Sequence, residues 1–202
     1  MPRGFNEQER QEIKQKLLEQ GRNFFSKYGL KKTRISELAE AVGIAPGSFY
    51  TFFNSKEELY FDILEMEEEK IKHSFINMEL LSDSDPKAAL RERLFRTLEV
   101  IDTNSLIRQM YFDGDRDRLL RKVPKERLSA HFQKDSFDLR IFTNQWKKSG
   151  VFRDIDDDVL AGLFRSIFLL STHKEEIGGG VYQQTMELLV ELVTDGLILE
   201  EE

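Results

Sequence analysis

Apolar residues in this chain recur at steps of three and four, and no stretch alternates them at steps of two. A chain patterned this way has one face per helix to bury and no strand to build a sheet from. From Glu7 to Tyr28 the apolar face runs through Ile13, Leu17, Gly21, Phe24 and Tyr28, with Leu18 and Phe25 alongside. Gly29 closes that helix, with Lys27 in its last turn. A short helix over Ser36–Val42 buries Leu38, Ala39 and Val42, and Gly43 turns the chain. Ala45-Pro46-Gly47 opens a third helix reaching about Phe53, with Pro46 suited to a first helical position that needs no N–H. Ser55 and Glu58 have the spacing of a capping box and start a fourth helix, which ends near Phe75 or Asn77. Its charged middle, Glu65 to Lys70, reads as a solvated face.

The polar run Leu81–Pro86 is the best boundary after this N-terminal module. Helices are expected over Pro86–Asp102 and Ser105–Phe112, then an irregular charged stretch from Asp113 to Arg118. The next helix spans Lys125–Lys148, with Leu128, Phe132, Leu139, Phe142 and Trp146 on one stripe, and ends at Ser149-Gly150. Asp156-Asp157-Asp158 places acidic groups at the start of a helix reaching about His173, apolar nearly all round. Gly178–Gly180 breaks the chain before a last helix over Tyr182–Leu199. The expected fold is all-α: an N-terminal helix-turn-helix domain over residues 1–56, its fourth helix continuing to about 77 as connector, and a helical domain over 57–202.

Charge separates the same two parts. Residues 1–56 carry ten basic and six acidic side chains, a net +4, while the remainder carries −11. Opposite signs suggest two jobs, one of them facing a polyanion, although +4 is also within ordinary fluctuation. There is no cysteine, and the three histidines (His73, His131 and His173) are scattered, so no metal site and no cofactor are expected. No apolar run approaches the ~20 residues of a membrane helix, and the first seven residues lack the apolar core of a secretory signal. The expectation is a soluble cytoplasmic protein with no membrane role. An all-α enzyme lacks materials here: no clustered His, no Cys, no Gly-rich phosphate loop and no paired metal-binding histidines. A helical interaction module without a DNA role is the other alternative.

Two short helices joined at Gly43 form a helix-turn-helix candidate, a pattern that αα-hairpins outside DNA-binding proteins share. The run Ile35-Ser36-Glu37-Leu38-Ala39-Glu40-Ala41-Val42-Gly43-Ile44-Ala45-Pro46-Gly47-Ser48-Phe49-Tyr50-Thr51-Phe52-Phe53-Asn54-Ser55-Lys56-Glu57-Glu58-Leu59 is more specific. In order and spacing it resembles the N-terminal signature of the TetR family of transcriptional regulators. Pro46 stands where that family often has Lys, and Phe52 where it often has His, so base preference is not transferable from a relative. The resemblance implies a double-stranded DNA operator as partner. It implies phosphate contacts from Tyr50 and Lys56, and from Arg34 and Ser36 at the start of the second helix. Ser48 and Thr51, with Ala45 and Gly47, would face base edges, and Pro46 belongs to the same DNA-binding surface.

The C-terminal domain resembles, in length and layout, that family's ligand-binding and dimerisation domain. Phe132, Phe142, Trp146 and Phe168 are candidates to line an apolar effector cavity, although an aromatic stripe at helical spacing is more often plain core. Arg108, Gln109, Phe112 and His131 are the further candidates for binding a small apolar or amphipathic effector. The two final helices are too apolar for a monomer surface, which fits a homodimeric four-helix bundle. Taken together, the expectation is a ligand-responsive transcriptional repressor that binds a palindromic operator as a homodimer.

Overall fold

A computed structural model describes residues 5–76, 85–112, 119, 121–148 and 150–199. The irregular stretch Asp113–Arg118 and most of the polar break lie outside the described residues, as do the side chains of Phe112, Phe132, Leu139, Phe142 and Trp146. Helix follows helix: α1 (Glu7–Lys32), α2 (Ile35–Ala41), a 3₁₀ helix (Pro46–Thr51), α3 (Lys56–Ile76), α4 (Pro86–Thr103), α5 (Ser105–Phe112), α6 (Lys125–Lys148), α7 (Asp157–Ser171), α8 (Lys174–Ile177) and α9 (Tyr182–Leu197). Among the described residues there is no strand, only an isolated bridge between Phe152 and Ile198. The fold is all-α, and no described helix is long and apolar enough to cross a membrane.

The chain forms two compact units. The first comprises Met1–Glu69 and Asn104–Pro124, the second Lys70–Thr103 and Lys125–Glu202. A division at residue 56 therefore marks a motif rather than a packing unit. The first unit also takes α3 as far as Glu69, and α5.

In the first unit, α1 starts at a reciprocal cap: Asn6 Oδ1 accepts the Glu9 N–H, and the Glu9 carboxylate accepts the Asn6 N–H, both at 2.8 Å. The buried stripe of α1 is Leu17, Gly21 and Phe25, while Tyr28 is exposed, so the inward face is rotated from the expected one through Phe24 and Tyr28. Gly21 is there because α3 comes close. A Cβ on it would lie 2.9 Å from Ile63 Cδ1 and 3.1 Å from Leu59 Cδ2. Phe25 meets Tyr60 edge to face at 5.0 Å, and the Tyr60 hydroxyl donates to the Leu106 carbonyl of α5. Glu67 corrects the expectation of a solvated charged face: it is 4% exposed, paired with Arg22 at 2.8 Å and receiving a hydrogen bond from Asn104 Nδ2 at 2.9 Å. The Asn104 Oδ1 in turn caps α5 through the N–H groups of Leu106 and Ile107.

In the second unit Phe75, Leu90, Leu94, Phe152, Leu160, Val190, Leu197 and Ile198 form the core. Asp156 is the N-cap of α7, accepting from the N–H groups of Asp158 and Val159. Lys147 bridges the Ile155 carbonyl and the Asp157 carboxylate, which fixes the α6–α7 connection. The one-turn helix α8 between α7 and the Gly178–Gly180 break was not expected from the sequence, being too short to show a period.

Candidate nucleic-acid interface

The site begins where α1 stops. Gly29 takes φ 77°, and Thr33 returns its N–H and its hydroxyl to the Gly29 carbonyl, turning the chain toward α2. The Arg34 N–H donates to the Glu37 carboxylate at 3.0 Å, which satisfies a donor at the start of α2 and leaves the Arg34 side chain exposed. Leu38 and Ala39 bury the inward face of α2. After Val42, Gly43 adopts φ 75°. Its N–H donates to Glu40 O at 3.1 Å, and the Ile44 N–H to Ala39 O at 3.0 Å. These two bonds are a Schellman closure, and they require the left-handed backbone that glycine supplies without strain.

Ala45 is extended, Pro46 takes the first helical position, and the following turn closes with Ser48 N–H to Ala45 O at 2.9 Å. The third helix is 3₁₀ rather than α and ends at Thr51. Of the three phenylalanines in and just after it, Phe49 and Phe53 point inward, fully or nearly buried, and their rings lie 5.9 Å apart. Phe52 stays at the edge, with Arg10 over its ring and the Arg10 guanidinium donating to Thr51 O. This anchoring turns the opposite face outward. Ala45, Pro46, Gly47 and Thr51 are exposed, Ser48 is half-buried, and Tyr50 is 58% exposed. Ser36 is exposed at the start of α2. The Thr51 hydroxyl donates to Ser48 O, so its lone pairs are what it offers outward.

Ser55 caps α3 by accepting the Glu58 N–H at 3.1 Å. The Glu58 carboxylate reaches one residue further than a capping box, to the N–H and Nδ2 of Asn54. Lys56 is placed differently from a side chain held out to solvent. Its ammonium donates to Leu30 O at 2.6 Å, Thr33 O at 2.7 Å and Lys31 O at 3.3 Å. The cation that opposes the dipole of α3 is thereby compensated inside the protein, by the carbonyls at the end of α1.

Around these groups lies an open concavity of about 840 Å³ whose rim includes Lys31, Lys32, Arg34, Tyr50, Asn54 and Lys56. Lys122 lines it as well, from far along the chain. Five basic residues line it against one acidic residue, Glu57. The sequence assigns no role to Lys31, Lys32 or Lys122; the first two are the basic residues of the last turn of α1, but nothing in the local pattern around Lys122 points to this place.

The effector candidates are not gathered in one unit. Arg108, Gln109 and Phe112 belong to the first, His131, Phe142, Trp146 and Phe168 to the second. Arg108 is exposed, and the Gln109 amide donates to Ser26 O on α1 at 2.9 Å. His131 and Phe168 are half-buried, while the side chains of Phe112, Phe142 and Trp146 lie outside the described residues.

Residues 17–63 match the family described as "Bacterial regulatory proteins, tetR family". The HTH-type transcriptional regulator AcrR of Shigella flexneri is 34% identical over 92 residues, 46% of this chain and 43% of that protein, so the match spans less than half of that relative. The HTH-type transcriptional repressor KstR2 of Rhodococcus jostii is 25% identical over 186 residues, 90% of this chain and 89% of its own. Among solved structures, a TetR-family transcriptional regulator from Pectobacterium atrosepticum superposes with a TM-score of 0.75 at 18% identity, over 98% of this chain and 100% of that one.

Proposed function

We propose that this chain, whose residues 17–63 match the tetR family of bacterial regulatory proteins, is a DNA-binding transcriptional repressor released from a palindromic operator by a small apolar or amphipathic effector. The observation that carries the reading is the outward face of the 3₁₀ helix, with Ala45, Pro46, Gly47, Tyr50 and Thr51 exposed while Phe49 and Phe53 hold it from behind. Small groups at the front let the backbone approach base edges, with Ser48 and Thr51 as the polar readers. Tyr50, Arg34 and Ser36 flank that front and meet phosphates. Lys56 serves the same backbone through placement, because its ammonium fixes the carbonyls between which Lys31 and Lys32 project, three and two residues before Arg34.

Two copies acting together read two half-sites in successive major grooves, about 34–36 Å apart. Support for a homodimer comes from α7 and α9, where Val159, Leu188 and Leu192 are each more than half exposed. The effector acts by population shift, favouring a spacing of the paired recognition helices that no longer fits two grooves. The reading is that of a binding protein rather than a catalyst, acting in the compartment that holds the DNA. Its test is a gel-shift assay with the DNA upstream of the protein's own gene. Retardation of that DNA at nanomolar protein, with a scrambled duplex unshifted, is expected; equal behaviour of both duplexes overturns operator recognition. Native mass spectrometry of the purified protein then shows whether a small molecule travels with it.

A further inference from the structure

We propose that Lys122 contacts the DNA backbone, supplied to the helix-turn-helix by a segment outside the module that the sequence marks as DNA-binding; this rests on the DNA-binding reading above. Lys122 lies in the stretch 104–124, which belongs to the first compact unit although the chain before and after it belongs to the second. Its place is built rather than incidental. Leu119 and Val123 are buried, and the Val123 N–H donates to Leu119 O at 2.9 Å, closing one helical turn. With those two residues turned inward, Lys122 is exposed and lines the concavity together with Lys31, Lys32, Arg34 and Tyr50. Residues 57–202 carry a net −11, yet Lys122, from that part of the chain, lines the concavity beside four other basic residues.

Lys56 is compensated by backbone carbonyls, but Lys31, Lys32, Arg34 and Lys122 are exposed cations on one concavity, and like charges so placed repel, most strongly at low salt, until an anion comes between them. The occupant is a phosphodiester of the DNA backbone, because Tyr50, on the outward face of the 3₁₀ helix, forms part of the same wall. An ammonium is a point charge without the fork that reads a base edge, so Lys122 adds affinity without sequence preference.

The test uses the full chain and fluorescence anisotropy on two short duplexes, the upstream DNA and a scrambled one, over a salt series. Lys122→Ala is expected to lower the salt slope on both duplexes by about 0.9 per copy, about 1.8 for the two copies bound together, so that between about 50 and 200 mM salt the wild type loses about twelvefold more affinity than the variant. Lys122→Arg keeps the wild-type slope, as does Lys125→Ala, whose exposed side chain is not on the concavity. If Lys122→Ala melts early, Lys122→Gln carries the same measurement. A wild-type slope for Lys122→Ala beside a lowered one for Arg34→Ala overturns this inference and leaves the DNA-binding reading standing. Failure of the wild type to bind either duplex at low salt overturns that reading itself. Unchanged slopes together with a melting temperature raised by inorganic phosphate in the wild type, but not in Lys122→Ala, assign the concavity to a small free anion and also overturn the inference.

Discussion

Lys56 stands in the first turn of α3, where a cation opposes the helix dipole, and its ammonium is engaged by three carbonyls between Leu30 and Thr33. Hydrogen bonds to a charged donor are the stronger kind, and removing it strips its partners. Lys56→Ala is therefore expected to lower the unfolding free energy by about 2 kcal/mol, read as a reduced urea midpoint with unchanged slope. Thr51 makes a different kind of statement. With its proton given to Ser48 O, the hydroxyl has only its lone pairs to offer, so on the proposed docking it is expected to accept from an amino donor of adenine or cytosine. Thr51→Val keeps the shape and loses the acceptor, and binding to single-base operator variants should show preference relaxed at one position by about 1–3 kcal/mol. Glu67 shows where residue-level reading stops. In the sequence it is one acid in a run from Glu65 to Lys70, and the partners that bury it, Arg22 and Asn104, lie 45 and 37 residues away. No local pattern announces such a pair.

Elements were more legible than their inner geometry. The period of three and four located every α-helix of four turns or more, and the cap residues Asp156 and Ser55 marked where α7 and α3 begin. The third helix was placed correctly, but its 3₁₀ form was not foreseen. Six residues opened by Pro46 and Gly47 carry too few turns for a period to distinguish about 3 residues per turn from about 3.6. The inward face of α1 was rotated for a related reason: Phe24 and Phe25 are equally apolar, and only the close approach of α3 at Gly21 decides between them. Gly43 was read as a turn, and the structure gives the cause in its φ of 75° and the two bonds it closes. Gly43→Ala is expected to cost about 1 kcal/mol, because the added Cβ meets nothing nearby and only the backbone angle is strained. Thermal melting would show it as a drop of several degrees, and an unchanged midpoint would mean that the turn accepts another closure.

For the molecule as a whole, α7 and α9 carry apolar side chains on two faces, one in the core of the second unit and one in solvent. Leu188 and Leu192, four residues apart on α9, are 56% and 61% exposed, while Val190 between them is buried. Either Leu188→Glu or Leu192→Glu is expected to yield monomers in light scattering at micromolar concentration, while circular dichroism stays helical. A wild type that already runs as a monomer would remove the dimer from the account. The apolar excess of these helices could be read from the sequence, whereas the composition of the two units could not, since the first draws on two separated stretches of chain. That interleaving has a consequence for how the protein comes into being. During synthesis the N-terminal segment leaves the ribosome first, with Tyr60 and Ser26 still lacking the partners they find on α5, Leu106 and Gln109. At about 5–20 residues per second the chain needs seconds more before residues 104–124 emerge to complete the unit. A nascent chain stalled short of that point is expected to be sensitive to protease, and a gene cut after α3 to yield a fragment that cannot hold its own core.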